Sequence, residues 1–170
     1  MLCVQTERLT LLACSSALAR AAYKGQRQLE AHLGIRAHPD WPGQEVRGFL
    51  PVYARQVENT PELVGWGLWL VVHTADREVI GDVGFKGRPD ALGRVDIGYG
   101  IVPARRRQGY AYEAAAALRD WAFQQPGVKC LTGNCWPENR ASARILEKLG
   151  MHPLGVSNAG LQMWQMERLE

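Results

Sequence analysis

The feature that most constrains the fold is a basic, glycine-containing turn that joins an apolar strand to an apolar helix. Residues 96–123 read D-I-G-Y-G-I-V-P-A-R-R-R-Q-G-Y-A-Y-E-A-A-A-A-L-R-D-W-A-F. Apolar or aromatic side chains at every second position over 95–101 predict a strand, which Pro103 ends because proline has no N–H to donate. Apolar residues spaced three and four apart over 111–122 predict a helix with one buried face.

The turn itself is suited to binding an anion. Its sequence is Arg105-Arg106-Arg107-Gln108-Gly109-Tyr110. The first N–H groups of a helix have no partner within it, and the helix dipole adds partial positive charge there. Gly109 has no Cβ, so a phosphate oxygen can approach the backbone, and arginine holds phosphate through two hydrogen bonds. The pattern predicts a phosphate-binding turn, with an exposed basic turn before an ordinary helix as the alternative.

Composition places the chain among globular proteins of one domain. Its 170 residues are 46% hydrophobic and 22% charged, with a net charge of +3. That charge is too small to predict a nucleic-acid partner by itself. No apolar run approaches the roughly 20 residues of a membrane span, and the N-terminus lacks the pattern of a signal peptide. We therefore predict a cytoplasmic protein with neither a nucleic-acid nor a membrane partner.

The remaining pattern predicts a mixed fold. Three apolar segments joined by short polar turns over 65–101 are typical of an antiparallel meander. Around it we predict strands over 8–13, 128–135 and near 156–166, and helices over 15–33, 44–58 and 139–149.

Other phosphate and catalytic motifs do not fit. Gly98-Tyr99-Gly100 starts like a dinucleotide fingerprint, but Pro103 occupies the third glycine position. The sequence has no G-x-x-x-x-G-K-[ST], H-E-x-x-H, EF-hand or G-x-S-x-G pattern. The four cysteines form no C-x-x-C pair, so we predict reduced thiols and no metal site.

Three blocks resemble the GCN5-related N-acetyltransferases, the GNAT superfamily. Arg106-Arg107-Gln108-Gly109-Tyr110-Ala111 fits the Q/R-x-x-G-x-G/A signature of that superfamily. Residues 137–151, P-E-N-R-A-S-A-R-I-L-E-K-L-G-M, are similar to the N-x-x-S…E-K-L-G-F block of the branch that acetylates ribosomal-protein N-termini. Thr6-Glu7-Arg8-Leu9 resembles the T-E-R-L opening of the same branch.

The resemblance implies a fold, an activity and a cosubstrate. The fold is α+β, a single domain over 1–170 with a central, mostly antiparallel twisted sheet of about seven strands flanked by helices. The activity is acetyl transfer from acetyl-coenzyme A (acetyl-CoA) to a primary amine, by direct attack in a ternary complex and without a metal. The acceptor is a peptide N-terminal α-amine or a small-molecule amine such as a polyamine or antibiotic, and a homodimer is a further expectation.

The resemblance also assigns residues to the cofactor. The pyrophosphate is expected on the turn, the pantetheine arm along the strand edge, and Asn139 beside that arm. Asn139 also suits the cap of the last helix, and the two roles are compatible. The predicted cofactor-binding residues are Ile101, Val102, Arg106, Arg107, Gln108, Gly109, Tyr110, Ala111, Tyr112, Asn139 and Ser142. A backbone N–H near Ile101 or Val102 is expected to stabilise the oxyanion.

The catalytic assignments are Ser142 and Asp96. Many family members carry a tyrosine as acid four residues before the glycine of the last helix, where this chain has Leu146. The serine of N-x-x-S replaces it in the ribosomal-protein branch, so Ser142 is the predicted acid, with a helix serine that only bonds a backbone carbonyl as the alternative. Asp96 stands where that branch has a glutamate and is the predicted base; Asp82 and Glu113 are further candidates, and a bound water would serve equally.

The predicted acceptor site contains Trp66, Asp82 and Trp136, two of them aromatic residues that also suit a core. Two other classes of function stay open at this point. The missing tyrosine is compatible with a CoA-binding regulatory module without turnover. Arg105–Arg107 are compatible with a nucleic-acid-binding domain.

Overall fold

A computed structural model describes all 170 residues, which form one mixed sheet with helices against it. The strands are β1 (Cys3–Gln5), β2 (Leu9–Ala13), β3 (Arg36–Ala37), β4 (Leu68–His73), β5 (Glu78–Phe85), β6 (Arg94–Ile101), β7 (Cys130–Cys135), β8 (His152–Val156) and β9 (Gln162–Glu167). The helices are α1 (Ser16–Lys24), α2 (Gln26–Leu33), α3 (Gln44–Asn59), α4 (Tyr110–Gln124) and α5 (Arg140–Lys148).

The sheet is antiparallel except at two places. Its strand order is β1-β2-β4-β5-β6-β7-β9-β8, with β3 beside β5. Strands β3 and β5 pair in parallel, and so do β6 and β7. The fold class expected from the sequence is confirmed, although the sheet has nine strands where about seven were expected. The short strands β1 and β3 contain three and two residues, too few to show any hydrophobic periodicity.

The sheet opens between β6 and β7, and this opening positions the site. The two strands pair only from Arg94↔Cys130 to Asp96↔Thr132. Beyond that point β6 continues to Ile101 along β5, and β7 continues to Cys135 along β9. A stretch of each strand therefore has a backbone edge that faces the gap rather than a neighbouring strand.

One cluster of 39 buried residues forms the core. Helix α4 contributes Ala114, Ala115, Leu118 and Ala122, the face that the sequence spacing predicted. None of the helices combines the length and the hydropathy that crossing a bilayer requires.

Candidate functional site

The basic turn after β6 has the backbone geometry of an anion site. Residues Pro103–Arg105 form a short 3-10 helix, after which Arg107 and Gly109 have φ angles of 63° and 82°. Helix α4 then begins at Tyr110, and no side chain caps its first N–H groups. These donors remain available to a ligand, as the sequence predicted.

The three arginines of the turn differ in what they contact. Arg105 is not free for phosphate because its Nη2 lies 2.7 Å from Asp76 and 2.6 Å from Glu78. Arg106 donates from Nε to the carbonyl of Ile101 at 2.9 Å, which fixes the turn to the end of β6. Arg107 makes no ion pair or side-chain hydrogen bond. Arg105 therefore does not contribute to phosphate binding as an arginine of the basic turn could, because its charge is used against two carboxylates.

Arg8 braces the turn from the opposite end of the chain, a role that the sequence did not reveal. Its Nη1 donates to the carbonyl of Gln108 at 2.9 Å, and its guanidinium lies 4.4 Å from the centre of the Tyr110 ring. A Cβ built on Gly109 would lie 3.3 Å from Arg8 Nη2. The only signal in the sequence was the family-like opening that contains Arg8.

Glu113 in the first turn of α4 holds this brace in place. Its carboxylate accepts from Thr6 Oγ1 at 2.6 Å, from the Arg8 N–H at 2.8 Å and from Arg8 Nε at 2.7 Å. Burial alone would raise the pKa of Glu113, but the hydrogen bonds from Thr6 and Arg8 outweigh it and lower the pKa. Glu113 is therefore a structural anion, and it does not suit the role of base for which it was a candidate.

The free edge of β6 offers particular backbone donors to the gap. The Val102 N–H donates to the carbonyl of Ile80 at 2.9 Å, so it is not available to an oxyanion. Along an antiparallel strand, successive residues point their N–H and C=O groups alternately to one neighbour and to the other. The backbone groups of Gly100 and Gly98 therefore point to β5, as those of Val102 do. The amides of Tyr99 and Ile101 consequently face the gap, and the oxyanion donor expected at Ile101 or Val102 narrows to Ile101.

Helix α5 borders the gap from the β7 side. Asn139 caps this helix, since its Oδ1 accepts from the Ser142 N–H at 3.1 Å. The Ser142 hydroxyl lies 3.0 Å from the Tyr99 hydroxyl, which joins α5 to β6. Burial raises the pKa of Tyr99 to about 12 against the lowering effect of this hydrogen bond. Tyr99 went unnoticed in the sequence because an aromatic residue in a strand usually belongs to the core.

A cavity of about 860 Å³ adjoins β6 on the side of β5, away from the gap between β6 and β7. Residues of α3, β4, β5 and β6 enclose it, with Val46, Phe49, Tyr53, Leu63, Trp66 and Phe85 as its apolar wall. Trp66 and Asp82, two of the three residues predicted for the acceptor site, both line this cavity. Trp136 does not line it: its side chain is 55% exposed and packs near Gly160 in the turn between β8 and β9.

Asp82 presents its carboxylate to this cavity from β5. Its Oδ2 accepts from Trp41 Nε1 at 2.8 Å. Burial raises the pKa of Asp82 to about 6, and the Trp41 hydrogen bond opposes that effect. A carboxyl group with this pKa is ionised at neutral pH and accepts a proton more readily than an exposed aspartate.

Asp96 occupies a different environment. It lies 2.9 Å from Lys86 Nζ and accepts from Thr132 Oγ1 at 3.1 Å, at the last paired position of β6 and β7. It lines a separate cavity of about 500 Å³ rather than the one that contains Asp82. Asp82 pairs with Gly100, four positions along β6 from Asp96, a separation of about 13 Å at 3.3 Å per residue. The structure does not bring the two aspartates together.

Neither the cysteines nor the histidines add a second centre. All four cysteines are free thiols, and no three His, Cys, Asp or Glu side chains are grouped to hold a metal ion. His73 contacts Asp76 at 3.0 Å and the Tyr110 hydroxyl at 3.1 Å, which ties the end of β4 to the start of α4.

Comparison with known proteins agrees with this arrangement. The family model of the acetyltransferase (GNAT) domain matches residues 8–152. The uncharacterised N-acetyltransferase YjdG of Bacillus subtilis (strain 168) is 32% identical over 150 residues, which cover 88% of this chain and 89% of YjdG. The chain therefore belongs to the GNAT family and is an acetyl-CoA-dependent N-acetyltransferase.

Two solved structures share the fold at low sequence identity. The ribosomal-protein-S5-alanine acetyltransferase from Vibrio fischeri superposes with a TM-score of 0.73 at 14% identity, covering 99% of this chain and 97% of that one. RimL, a ribosomal L7/L12 alpha-N-protein acetyltransferase in complex with coenzyme A, superposes with a TM-score of 0.70 at 16% identity, covering 98% of both chains. As a member of the GNAT family the chain uses acetyl-CoA as its cosubstrate, and the turn before α4 leaves its first N–H groups available to an anion.

Proposed function

We propose that residues 1–170 act as a single domain that transfers the acetyl group of acetyl-CoA to a primary amine, by direct attack in a ternary complex. The observation that carries this proposal is the placement of two sites on one strand. The anion-binding turn follows β6, and the 860 Å³ cavity adjoins β6 where that strand separates from β7. A thioester lying in the gap and an amine in the cavity would meet at β6.

Positioning supplies much of the catalysis in this proposal, because a thioester is already activated. Backbone N–H groups from Arg107 to Tyr112 hold the pyrophosphate, and the gap-facing edge of β6 pairs with the pantetheine arm. The Ile101 amide donates to the developing oxyanion. Asn139 keeps its capping hydrogen bond from the Ser142 N–H and borders the gap in which the pantetheine arm lies.

Ser142 acts on the leaving group by hydrogen bonding. A serine hydroxyl is a far weaker acid than a thiol, whose pKa is about 8.5, so full proton transfer from Ser142 to the thiolate is uphill. The Tyr99 hydroxyl lies 3.0 Å from Ser142 Oγ and 3.2 Å from the Ser142 carbonyl, and with Tyr99 as the donor to Oγ the serine donates its own proton to sulfur. Ser142, oriented by Tyr99, thus stabilises the thiolate without having to lose its proton.

The acceptor is a primary amine on an apolar carrier. The cavity wall is largely apolar and aromatic, and it contains two carboxylates, Glu45 on α3 and Asp82 on β5. An amine next to an apolar side chain, as at a peptide N-terminus or in an arylalkylamine, matches this distribution. The fold relatives named for ribosomal-protein acetylation support the peptide acceptor, and the small-molecule amine remains the second candidate.

The test combines binding with turnover. Calorimetry measures acetyl-CoA binding, and thiol release is then followed with peptides that begin with free alanine or serine, with phenylethylamine and with spermidine. N-terminally blocked peptide serves as the background. We expect binding and release that depend on a free amine. Binding without release above the background would contradict the enzyme and favour a non-catalytic CoA-binding module.

We also infer that two copies associate through β8. This edge strand is exposed throughout, and Leu154 and Val156 are 57% and 61% exposed. An uncovered apolar edge strand favours pairing with another chain. Sedimentation of the wild type against Leu154→Lys checks this, and a wild-type monomer at high concentration would contradict it.

A further inference from the structure

Asp82 is a carboxylate with an unused oxygen at the floor of the acceptor cavity. Oδ2 accepts from Trp41, and Oδ1 has neither a hydrogen bond nor an ion pair. Lys86 also lines this cavity, but its ammonium is paired with Asp96 at 2.9 Å. Asp82 therefore faces the cavity with a lone pair that no residue of the protein satisfies.

A track without side chains leads from Asp82 along β6. Gly100 lies directly opposite Asp82, so the two residues share a face of the sheet, and Gly98 is the next position on that face. A Cβ on Gly100 would lie 3.8 Å from Asp82 Oδ1, and one on Gly98 would meet no atom within 4 Å. Neither glycine has a positive φ, so the backbone does not require glycine at either position. What glycine provides here is open space beside the strand.

We propose that Asp82 is the general base of the reaction and that the acceptor amine reaches the thioester over Gly98 and Gly100. This assignment rests on the proposed function. The amine nitrogen attacks the thioester carbonyl, and its proton passes to Asp82 Oδ1. The C–S bond breaks, the electron pair leaves with the coenzyme A sulfur, and the amide forms. Asp82 replaces Asp96 in this role because Asp96 is paired with Lys86 and lines a separate cavity.

Trp41 is the positioning residue for this base. Its hydrogen bond fixes the carboxylate and stabilises the ionised form, which lowers the pKa of Asp82 against the raising effect of burial. The other titratable groups around Asp82 and Trp41 are His38 and Asp40 in the loop before α3, Glu45 and Tyr53 on α3, Lys86 on the turn after β5, and Tyr99 on β6. None of them forms an ion pair with Asp82.

The test measures kcat/KM against pH for the best amine acceptor, together with acetyl-CoA binding by calorimetry. Asp82→Asn should reduce kcat by about 10²- to 10³-fold, the range of a lost general base, and leave the acetyl-CoA Kd within about twofold. Asp96→Asn is the matched control and should keep most of the activity. Trp41→Phe should move the acidic limb of the profile from about pH 6 to higher pH, because the hydrogen bond that lowers the pKa is lost.

Gly98→Ala tests the track separately. The added methyl should raise KM for the acceptor about tenfold or more and leave acetyl-CoA binding unchanged. Gly48→Ala on α3, where a Cβ also meets no atom within 4 Å, is the control. The assignment of Asp82 is overturned if the wild type acetylates an amine and Asp82→Asn keeps the same rate. It is also overturned if Asp96→Asn, and not Asp82→Asn, loses activity. A wild type that acetylates no amine contradicts the proposed function itself.

Discussion

The basic turn before α4 and the 860 Å³ cavity, the sites proposed for the cofactor and the acceptor, lie beside the same strand but are built in different ways. The turn is a contiguous segment whose supporting side chains Arg105, Arg106 and Glu113 all have partners, while the first N–H groups of α4 stay free for a ligand. The cavity is assembled from four elements, and the carboxylate of Asp82 in it has an unused oxygen. The difference indicates that a turn proposed to bind the cosubstrate can be rigid, whereas a carboxylate proposed as the base must keep one oxygen free for the substrate.

Removing the carboxylate of Glu113 should give the largest loss of stability on the turn side. Glu113→Ala leaves Thr6 and Arg8 without their acceptor, and we expect a loss of about 2–4 kcal/mol in the free energy of unfolding and weaker acetyl-CoA binding. Urea unfolding measures the first quantity. Asp120→Ala, which breaks an exposed ion pair with Arg119, is the control and should cost less than about 1 kcal/mol.

The stability that Glu113 contributes should depend on pH. Its pKa lies below the ordinary value of 4.5, so the contribution is present above that pH and is lost as the pH falls through the folded-state pKa. The difference between wild type and Glu113→Ala should therefore shrink in acid. A constant difference from neutral pH down to about pH 3 would contradict the ionic nature of this brace.

Replacement of Asp82 in the cavity should have the opposite effect on stability, a gain rather than a loss. The pKa of Asp82 is raised from 3.8 to about 6, so ionisation destabilises the folded state; the cost is absent below the lower value and complete above the higher one. Asp82→Asn should raise the free energy of unfolding by about 1–2 kcal/mol near neutral pH, less than the roughly 3 kcal/mol of the full pKa difference because the group is partly exposed. Thermal unfolding at about pH 7.5 and pH 4 measures this, and an equal gain at both would count against it.

Ser142→Ala should have an effect on catalysis alone. Loss of one hydrogen bond to the leaving thiolate should lower kcat about tenfold while the acetyl-CoA Kd changes little. Tyr99→Phe should show a smaller decrease in kcat, because it only orients Ser142. A larger effect from Tyr99→Phe than from Ser142→Ala would assign the contact with sulfur to the tyrosine.

The smallest effects should distinguish the roles of Arg105 and Arg107, two arginines of the same turn. Arg107→Ala should weaken acetyl-CoA binding about three- to tenfold without loss of stability, because its side chain has no partner in the protein. Arg105→Ala should instead cost about 1 kcal/mol in stability by leaving Glu78 unpaired, and it should change binding less. Calorimetry and urea unfolding on the same two variants decide between these roles, and identical profiles would contradict the division.

The sequence predicted the local parts of the molecule and missed the long-range ones. The turn, the start of α4 and the cap at Asn139 were predictable because each depends on residues within a few positions. Arg8 beside Gln108 and Tyr99 beside Ser142 are contacts between residues 100 and 43 positions apart, which no local pattern reveals. The choice between Asp82 and Asp96 likewise depends on which cavity each lines.

The most direct test of the account is acetyl-CoA binding by calorimetry to the wild type, Gln108→Glu and Gln28→Glu. Gln108 is suitable because its side chain is exposed, whereas any residue at Gly109 would be strained at φ 82°. Gln28 on α2 is an exposed control with the same change in charge. The account predicts wild-type affinity for Gln28→Glu and about tenfold or weaker binding for Gln108→Glu, whose carboxylate would repel the pyrophosphate. Equal affinity of both variants, or no binding by the wild type, would contradict the turn as the cofactor site.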